Sequence, residues 1–168
     1  MHTQTFSTTI YTDGSCIGNP GPGGWAALVR TGVAERLLVG SEDMTTNNRM
    51  ELLAAISALE ALSERVSAVI YTDSTYVRNG ITSWLVGWKR RGWRTKTGPV
   101  KNVDLWQRLD LANAARTVMW RWVRAHVGNE GNSRVDRAAY EAACRQAGIE
   151  PAPEEERHGY NSQTGVGT

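Results

Sequence analysis

The 168-residue sequence predicts an α/β protein built on a five-stranded mixed sheet flanked by helices. Two observations support this fold class. β-branched runs typical of strands alternate with apolar residues at helical spacing, and the elements follow the order three strands, helix, strand, helices, strand, helix. Strands joined by short turns form an antiparallel meander, whereas strands joined through helices run parallel. We therefore expect strands 1 to 3 to form a meander and strands 1, 4 and 5 to run parallel.

The first three strands are predicted from residue type and turn signals. Residues 5–13 alternate and are rich in Thr, Ile and Tyr, which favours a strand. Residues 24–30 and 34–40 are short apolar runs separated by a Thr-Gly turn, which indicates a hairpin. The glycine-rich stretch 14–24 lacks the Lys-Ser/Thr of a nucleotide P-loop, so its simplest interpretation is a tight hairpin.

The rest of the chain alternates helices with two more strands. A long helix follows the meander, because leucines and an isoleucine recur at helical spacing through residues 52–62. Residues 67–72 form the fourth strand, and Gly80 is expected to divide the next segment into two short helices. Asn102 is a candidate cap for a further helix.

The C-terminal part supplies the fifth strand and the last helix. Residues 118–123 alternate as a strand, and the final helix is expected to start near Asn132 and to stop at Gly148. Residues 1–149 are thus predicted to be a single domain. The tail 150–168 has little apolar content and is predicted to be disordered.

Composition narrows the class of protein. No apolar run approaches the roughly 18 residues of a membrane span, and the N-terminus lacks the pattern of a secretory signal, so a cytoplasmic location is expected. The protein is also expected to be a monomer. Cys16 and Cys144 show no metal-ligand spacing and are expected to be free thiols.

Positive charge is concentrated in residues 78–101, which carry seven basic and no acidic side chains with three interleaved tryptophans. That segment is a candidate phosphate-binding surface or a solvated basic face.

A repeated tetrapeptide indicates a site. IYTD occurs at 10–13 and again at 70–73, each time at the end of a predicted strand. If the two strands are parallel neighbours in register, Asp13 and Asp73 lie side by side at their carboxyl ends. In open α/β sheets ligands bind at that edge.

Two carboxylates at strand spacing repel each other unless a cation lies between them. Glu51, at the start of the helix joining the two strands, is the third candidate ligand, and Asp136, early in the last helix, is the fourth. Oxygen ligands without thiolates suit Mg²⁺ or Mn²⁺ rather than zinc.

Each of these residues also has a structural interpretation. An Asp after a strand is often a turn residue, Glu51 lies three residues after the candidate cap Asn48, and Asp136 can complement a helix dipole. His126, in the loop after the fifth strand, can be a hydrogen-bonded loop histidine. Only the combination of these residues favours a metal site.

Five segments together resemble a bacterial type 1 ribonuclease H, in the order that the family has them. They are YTDGSCIGNPGPGGWA (11–26), MTTNNRMELLAAISALEAL (44–62), YTDSTYVRNGI (71–81), WKRRGW with PVKNVDLWQRLD (88–93 and 99–110), and HVGNEGNSRVD (126–136). The resemblance implies a sheet in which the first and fourth strands are adjacent. It also implies that Asp13, Glu51, Asp73 and Asp136 hold metal and that His126 is catalytic.

The resemblance further implies the reaction. The expected activity is hydrolysis of the RNA strand of an RNA/DNA hybrid with two Mg²⁺ ions, for which Mn²⁺ is expected to substitute, leaving 5'-phosphate and 3'-hydroxyl ends. Little base-sequence preference is expected. Residues that match the family's substrate contacts are Cys16, Asn19, Thr46, Asn47, Asn48, Thr75, Trp84, Trp88, Lys89, Arg90, Arg91 and Asn132.

Two other functions remain open at this point. A nuclease or strand transferase of the same fold would act on another nucleic acid, and a module that only binds would protect hybrids without cutting them. The basic, tryptophan-rich segment favours a hybrid over other duplexes. Four candidate metal carboxylates favour catalysis over binding alone.

Overall fold

Five strands form one mixed sheet in the computed structural model, which describes residues 6–124 and 129–160. They are β1 (Thr8–Cys16), β2 (Gly21–Thr31), β3 (Ala34–Thr45), β4 (Ser67–Thr72) and β7 (Thr117–Trp122), and two short strands outside this sheet are β5 (Arg94–Thr95) and β6 (Gly98–Pro99). The large sheet has the order β3-β2-β1-β4-β7, and β5 pairs with β6 in a separate short hairpin. β1, β2 and β3 are antiparallel, whereas β4 is parallel to both β1 and β7. The predicted meander and parallel strands are confirmed.

The helices are joined to this sheet in the predicted order. They are α1 (Asn47–Glu60), α2 (Thr75–Asn79), a π-helical turn (Gly80–Trp84), α3 (Leu85–Arg90), α4 (Val103–Ala114), α5 (Glu130–Ala147) and α6 (Glu154–Tyr160). Within the described ranges, none of these helices has the length and apolar character needed to cross a membrane.

Two helical layers cover opposite faces of the sheet. α1 and α4 pack on one face, where their leucines meet residues such as Ala27 and Val29 of β2. α5 packs on the other face, where Val135 contacts the alternate β2 side chains Ala26 and Leu28. Because successive strand residues point to opposite faces, both sides of β2 are apolar and buried. The core therefore consists of two layers separated by the sheet.

Strand ends differ from the predicted ones near the glycine-rich stretch. β1 continues to Cys16 instead of ending at residue 13, and β2 begins at Gly21. The cause is the hairpin itself, whose pairing runs on to Cys16 opposite Gly23. The glycine-rich stretch is thus largely strand and tight turn, as its simplest interpretation required.

The prediction that Gly80 divides this segment into two short helices is confirmed, because α2 ends at Asn79 and α3 begins at Leu85. The backbone between them stays helical, since the π-helical turn joins α2 to α3. Gly80 is buried against the Trp106 ring, and a Cβ atom there would lie 1.8 Å from a ring carbon. Close packing accounts for the glycine. Asn102 does precede α4, but its side chain makes no capping bond and its amide donates to the Tyr76 hydroxyl instead (3.0 Å).

The C-terminal segment also departs from the prediction. Residues 150–168 were expected to be disordered, yet Glu154–Tyr160 form α6, while residues 161–168 lie outside the described residues. Polar contacts to α5 hold this segment, so its low apolar content was a poor guide. α5 itself begins at Glu130 rather than near Asn132, because Asn129 caps it through its side chain.

Candidate active site

The two IYTD strands are direct neighbours and lie in register. Tyr11 is paired with Tyr71 in the parallel ladder, and their rings stack with centroids 5.1 Å apart. Two residues further on, Asp13 and Asp73 occupy equivalent positions at the carboxyl edge of the sheet. Asp13 is buried within β1, and Asp73 directly follows β4. The predicted pairing of the two aspartates follows from this register.

Glu51 reaches the same edge from α1 because of the glycine after Asp13. A Cβ atom at Gly14 would lie 2.5 Å from the Glu51 backbone nitrogen, so only glycine allows α1 to approach β1 this closely. The fully buried Met50 side chain anchors the helix beside it. Thr46 is the N-cap and accepts a hydrogen bond from the Arg49 amide (3.3 Å), which leaves Glu51 outside the capping positions. The alternative interpretation of Glu51 as a cap is therefore wrong.

Asp13, Glu51 and Asp73 form a compact carboxylate triad, in which one oxygen from each lies within 4.8 Å of the others. Burial, followed by the Asp73 charge, holds the pKa of Asp13 well above its usual range. Burial also raises the pKa of Glu51, and the charges of Asp13 and Asp73 add to the effect. When they are ionised, the three carboxylates therefore repel one another, and a bound cation would reduce this repulsion.

The triad fits a hard divalent cation. Glu51 Oε2 is buried and has no hydrogen-bond partner within the described part of the chain. An unpartnered buried carboxylate oxygen is costly, and a metal ion would satisfy it. The nearby Cys16 thiol does not join the triad but contacts the carbonyl oxygens of Gly21 and Thr45 (3.5 Å each). An all-oxygen donor set is suited to Mg²⁺ or Mn²⁺.

Asp136 lies in the same cleft but is not part of the triad. Its charge contributes to the raised pKa of Asp13, so the two carboxylates are close enough to interact. Its Oδ2 accepts a hydrogen bond from Arg157 of α6 (2.9 Å). The structure therefore places Asp136 at the edge of the site, paired with a cation from the chain itself. His126, the other predicted catalytic residue, lies outside the described residues.

An open cleft of about 950 Å³ surrounds the triad. Four of the predicted substrate-contact residues line it, on three different elements: Cys16, Asn47, Asn48 and Thr75. Their small polar side chains thus border the same cleft as the carboxylates. The arrangement leaves room for an extended polymer to pass over the triad.

Two other predicted contact residues have structural partners, and a third is buried. Asn19 accepts a hydrogen bond from the Asn47 amide through its side chain (2.9 Å), which joins the glycine-rich turn to α1. Thr46 is occupied as the N-cap of α1. Asn132 is buried in the first turn of α5, and its Oδ1 has no partner among the residues described.

The basic segment rests on an aromatic cluster. Trp84 packs on Trp88, with ring centroids 5.7 Å apart, and Trp88 packs edge-on to the buried Trp106 of α4 (5.2 Å). Lys89 is paired with Asp110, with Nζ and Oδ2 3.1 Å apart, whereas Arg90 and Arg91 are exposed. The tryptophans are thus mainly structural, although Trp84 keeps 38% of its surface exposed.

Two residues at the site were missed from the sequence. The Tyr76 hydroxyl accepts hydrogen bonds from Trp106 Nε1 (2.9 Å) and from the Asn102 side-chain amide, which joins α2 to α4 beside the cleft. Trp122, the last residue of β7, donates from Nε1 to the Asp73 carbonyl oxygen (3.2 Å). The parallel order of β4 and β7 was enough to place Trp122 beside Asp73, but side-chain direction had no signal in the sequence.

A carboxylate triad at the carboxyl edge of a mixed sheet, in a chain that also has an exposed basic segment, is the arrangement of a hydrolase that acts on nucleic acid. The RNase H family model matches residues 5–144. A ribonuclease H from Jannaschia sp. (strain CCS1) is 62% identical over 135 residues, covering 77% of this chain and 86% of the relative. One from Nitrobacter hamburgensis is 60% identical over 137 residues, covering 81% and 91%. The chain belongs to the ribonuclease H family.

Solved structures agree with this assignment. LC9-RNase H1, described as a type 1 RNase H with the type 2 active-site motif, superposes with a TM-score of 0.76 at 36% identity. The match covers 94% of this chain and 82% of that one. LC11-RNase H1, solved in complex with an RNA/DNA hybrid, has a TM-score of 0.63 at 20% identity over 83% of this chain and 99% of its own, and so shows the shared fold alone.

Proposed function

We propose that the protein is an endonuclease that hydrolyses the RNA strand of RNA/DNA hybrids with two divalent metal ions, leaving 5'-phosphate and 3'-hydroxyl ends. The observation that carries the proposal is the carboxylate triad, in which Asp13 and Glu51 are buried and Glu51 Oε2 has no hydrogen-bond partner among the described residues. Family membership supports it, and so does LC11-RNase H1, which shares the fold and is solved with a hybrid.

The carboxylates have the central role in this proposal. Asp13, Glu51 and Asp73 would hold the metal ions, and Asp136 would join them once it is free of Arg157. Mg²⁺ is the expected metal and Mn²⁺ its substitute. When bound, a pair of such ions supplies charge that activates water and stabilises the leaving 3' oxygen. His126 would assist proton transfer or product release.

Surrounding residues would position the substrate. Cys16, Asn47, Asn48 and Thr75 lie where hydrogen bonds to 2'-hydroxyl groups would identify the RNA strand. Thr46 and Asn19 fix the loop and the helix start that carry these groups, and Asn132 extends the set at α5. The exposed Arg90 and Arg91, with the partly exposed Trp84, would follow the backbone of the DNA strand. Since none of these groups is arranged to recognise base edges, little sequence preference follows.

A four-substrate assay tests the proposal. Purified protein is incubated with end-labelled RNA/DNA hybrid, double-stranded RNA, double-stranded DNA and single-stranded RNA, each with Mg²⁺ or with EDTA. Loss of only the hybrid's RNA strand, and only with Mg²⁺, is expected, with product ends that a 3'-polyadenylating enzyme can extend. Cleavage of duplex DNA at the same rate as the hybrid would indicate a nuclease with a different substrate. Tight binding of hybrid without cleavage would indicate a binding module, and either result would refute the proposal.

A further inference from the structure

The segment after α5 folds back along that helix instead of extending away from it. The Ala152 amide donates to the Tyr140 hydroxyl (3.1 Å), and Arg137 pairs with Glu154 across 2.6 Å. Tyr140 and Arg137 both lie on α5, and Tyr140 also lines the cleft around the triad. The segment lies beyond residue 144, where the match to the family model ends.

The Arg157 side chain of this segment lies in the cleft. Its guanidinium lies over the Tyr140 ring, 4.1 Å from the centroid, and its Nη2 is 2.9 Å from Asp136 Oδ2. The side chain is only 14% exposed, which is low for an arginine. Arg157, Glu156 and Ala152 share the cleft with the carboxylate triad. The segment thus forms one wall of the candidate active site.

The pairing occupies a carboxylate that the proposed reaction needs. A guanidinium keeps its positive charge in proteins, so Arg157 places a permanent cation beside Asp136. A metal ion must compete with Arg157 for this carboxylate, or the segment must move away. Glu156 adds a negative charge at the cleft, which disfavours the approach of phosphate groups.

We infer that residues 149–160 form a displaceable autoinhibitory cap, in which Arg157 takes the place of a cation at Asp136 until metal and substrate displace it. The inference rests on the proposed function of the site. The anchors are suited to displacement, because the Arg137 and Glu154 side chains are 58% and 53% exposed and such pairs hold weakly. Arg157 is thus a regulator of the site and not a catalytic residue.

Metal binding to the full chain, measured by isothermal titration calorimetry with Mn²⁺ and no nucleic acid, tests the cap. Arg157→Gln removes the competing charge and is expected to bind Mn²⁺ roughly three- to tenfold more tightly than the unsubstituted protein, which is the range for loss of one partly buried ion pair. Arg134→Gln is the matched control, because Arg134 is on the same helix but pairs with Glu35 and Glu130 away from the triad. Its affinity should not change.

A second variant weakens the cap at a different position, so the test does not depend on correct folding of Arg157→Gln alone. Arg137→Gln loosens the anchor to Glu154 without touching Asp136, and should shift Mn²⁺ affinity in the same direction by a smaller factor. Unchanged or weaker binding in both Arg157→Gln and Arg137→Gln would overturn the cap while leaving the metal site intact. If Asp13→Asn binds Mn²⁺ as well as the unsubstituted protein does, the assignment of the metal site to the triad is wrong, and the cap proposal is then refuted as well.

Discussion

Replacing Asp13 by Asn should stabilise the metal-free protein, although it removes a residue that the proposed reaction needs. The oxygens of the triad lie within 4.8 Å of one another. At an effective dielectric constant of about 20, two unit charges at that separation repel by roughly 3.5 kcal/mol. Proton uptake by the carboxyls offsets part of this repulsion, so we expect a gain of about 2 kcal/mol in the free energy of unfolding. For a chain of this length that corresponds to a rise of about 4–8 °C in Tm.

The assay is thermal unfolding at neutral pH in EDTA, with Asp43→Asn as a matched control at an exposed acidic residue. The pKa values of Asp13 and Glu51 are raised in the folded state, so the folded protein binds protons more tightly than the unfolded chain does. The native protein therefore gains stability as the pH falls, and the advantage of Asp13→Asn should shrink toward pH 4. Saturating Mg²⁺ should reduce the difference at neutral pH by stabilising the unsubstituted protein. An Asp13→Asn variant that is equally stable or less stable in EDTA would refute the electrostatic argument.

Three further changes test other parts of the structure. Gly80→Ala places a methyl group against the Trp106 ring and should lower the free energy of unfolding, measured by chemical denaturation, by about 2–3 kcal/mol. Gly32→Ala is the control, because its Cβ would meet open space at a positive φ, and it should lower the free energy of unfolding by less. Tyr76→Phe leaves the buried Trp106 Nε1 without its acceptor and should lower the free energy of unfolding by about 1–2 kcal/mol. An unchanged free energy of unfolding would show that this hydrogen bond does not stabilise the fold. Arg90→Ala with Arg91→Ala should flatten the salt dependence of hybrid binding by roughly 1–2 log units per log of salt, while the exposed Arg36→Ala on β3 should leave the slope unchanged.

Local patterns were sufficient for most of the fold. The repeat of IYTD identified two strands that the structure places in register, and the order of elements determined which strands run parallel. The position of Glu51 followed from its place at the start of the connecting helix. These features depend on periodicity and chain connectivity, which a sequence records directly.

Features that depend on contacts between distant residues were not predictable in the same way. Gly80 ends α2 as predicted, yet the backbone stays helical beyond it, where Gly80 packs against the Trp106 ring on another helix. Asn102 looked like a cap, yet its amide donates to Tyr76. The C-terminal segment looked disordered because composition does not register ion pairs such as Arg157 with Asp136. In each case a long-range packing or polar contact overrode the local signal.

The most direct test of the carboxylate site is the initial rate of RNA-strand cleavage in a hybrid with Mg²⁺, compared for four proteins. These are the unsubstituted chain, Asp13→Asn, Asp73→Asn and the exposed control Asp43→Asn, each shown to be folded. If the triad holds the catalytic metal, Asp13→Asn and Asp73→Asn should each lose roughly 10³-fold or more of the rate, and Asp43→Asn should retain it. Substantial cleavage by either triad variant would contradict the placement of the metal site between β1 and β4.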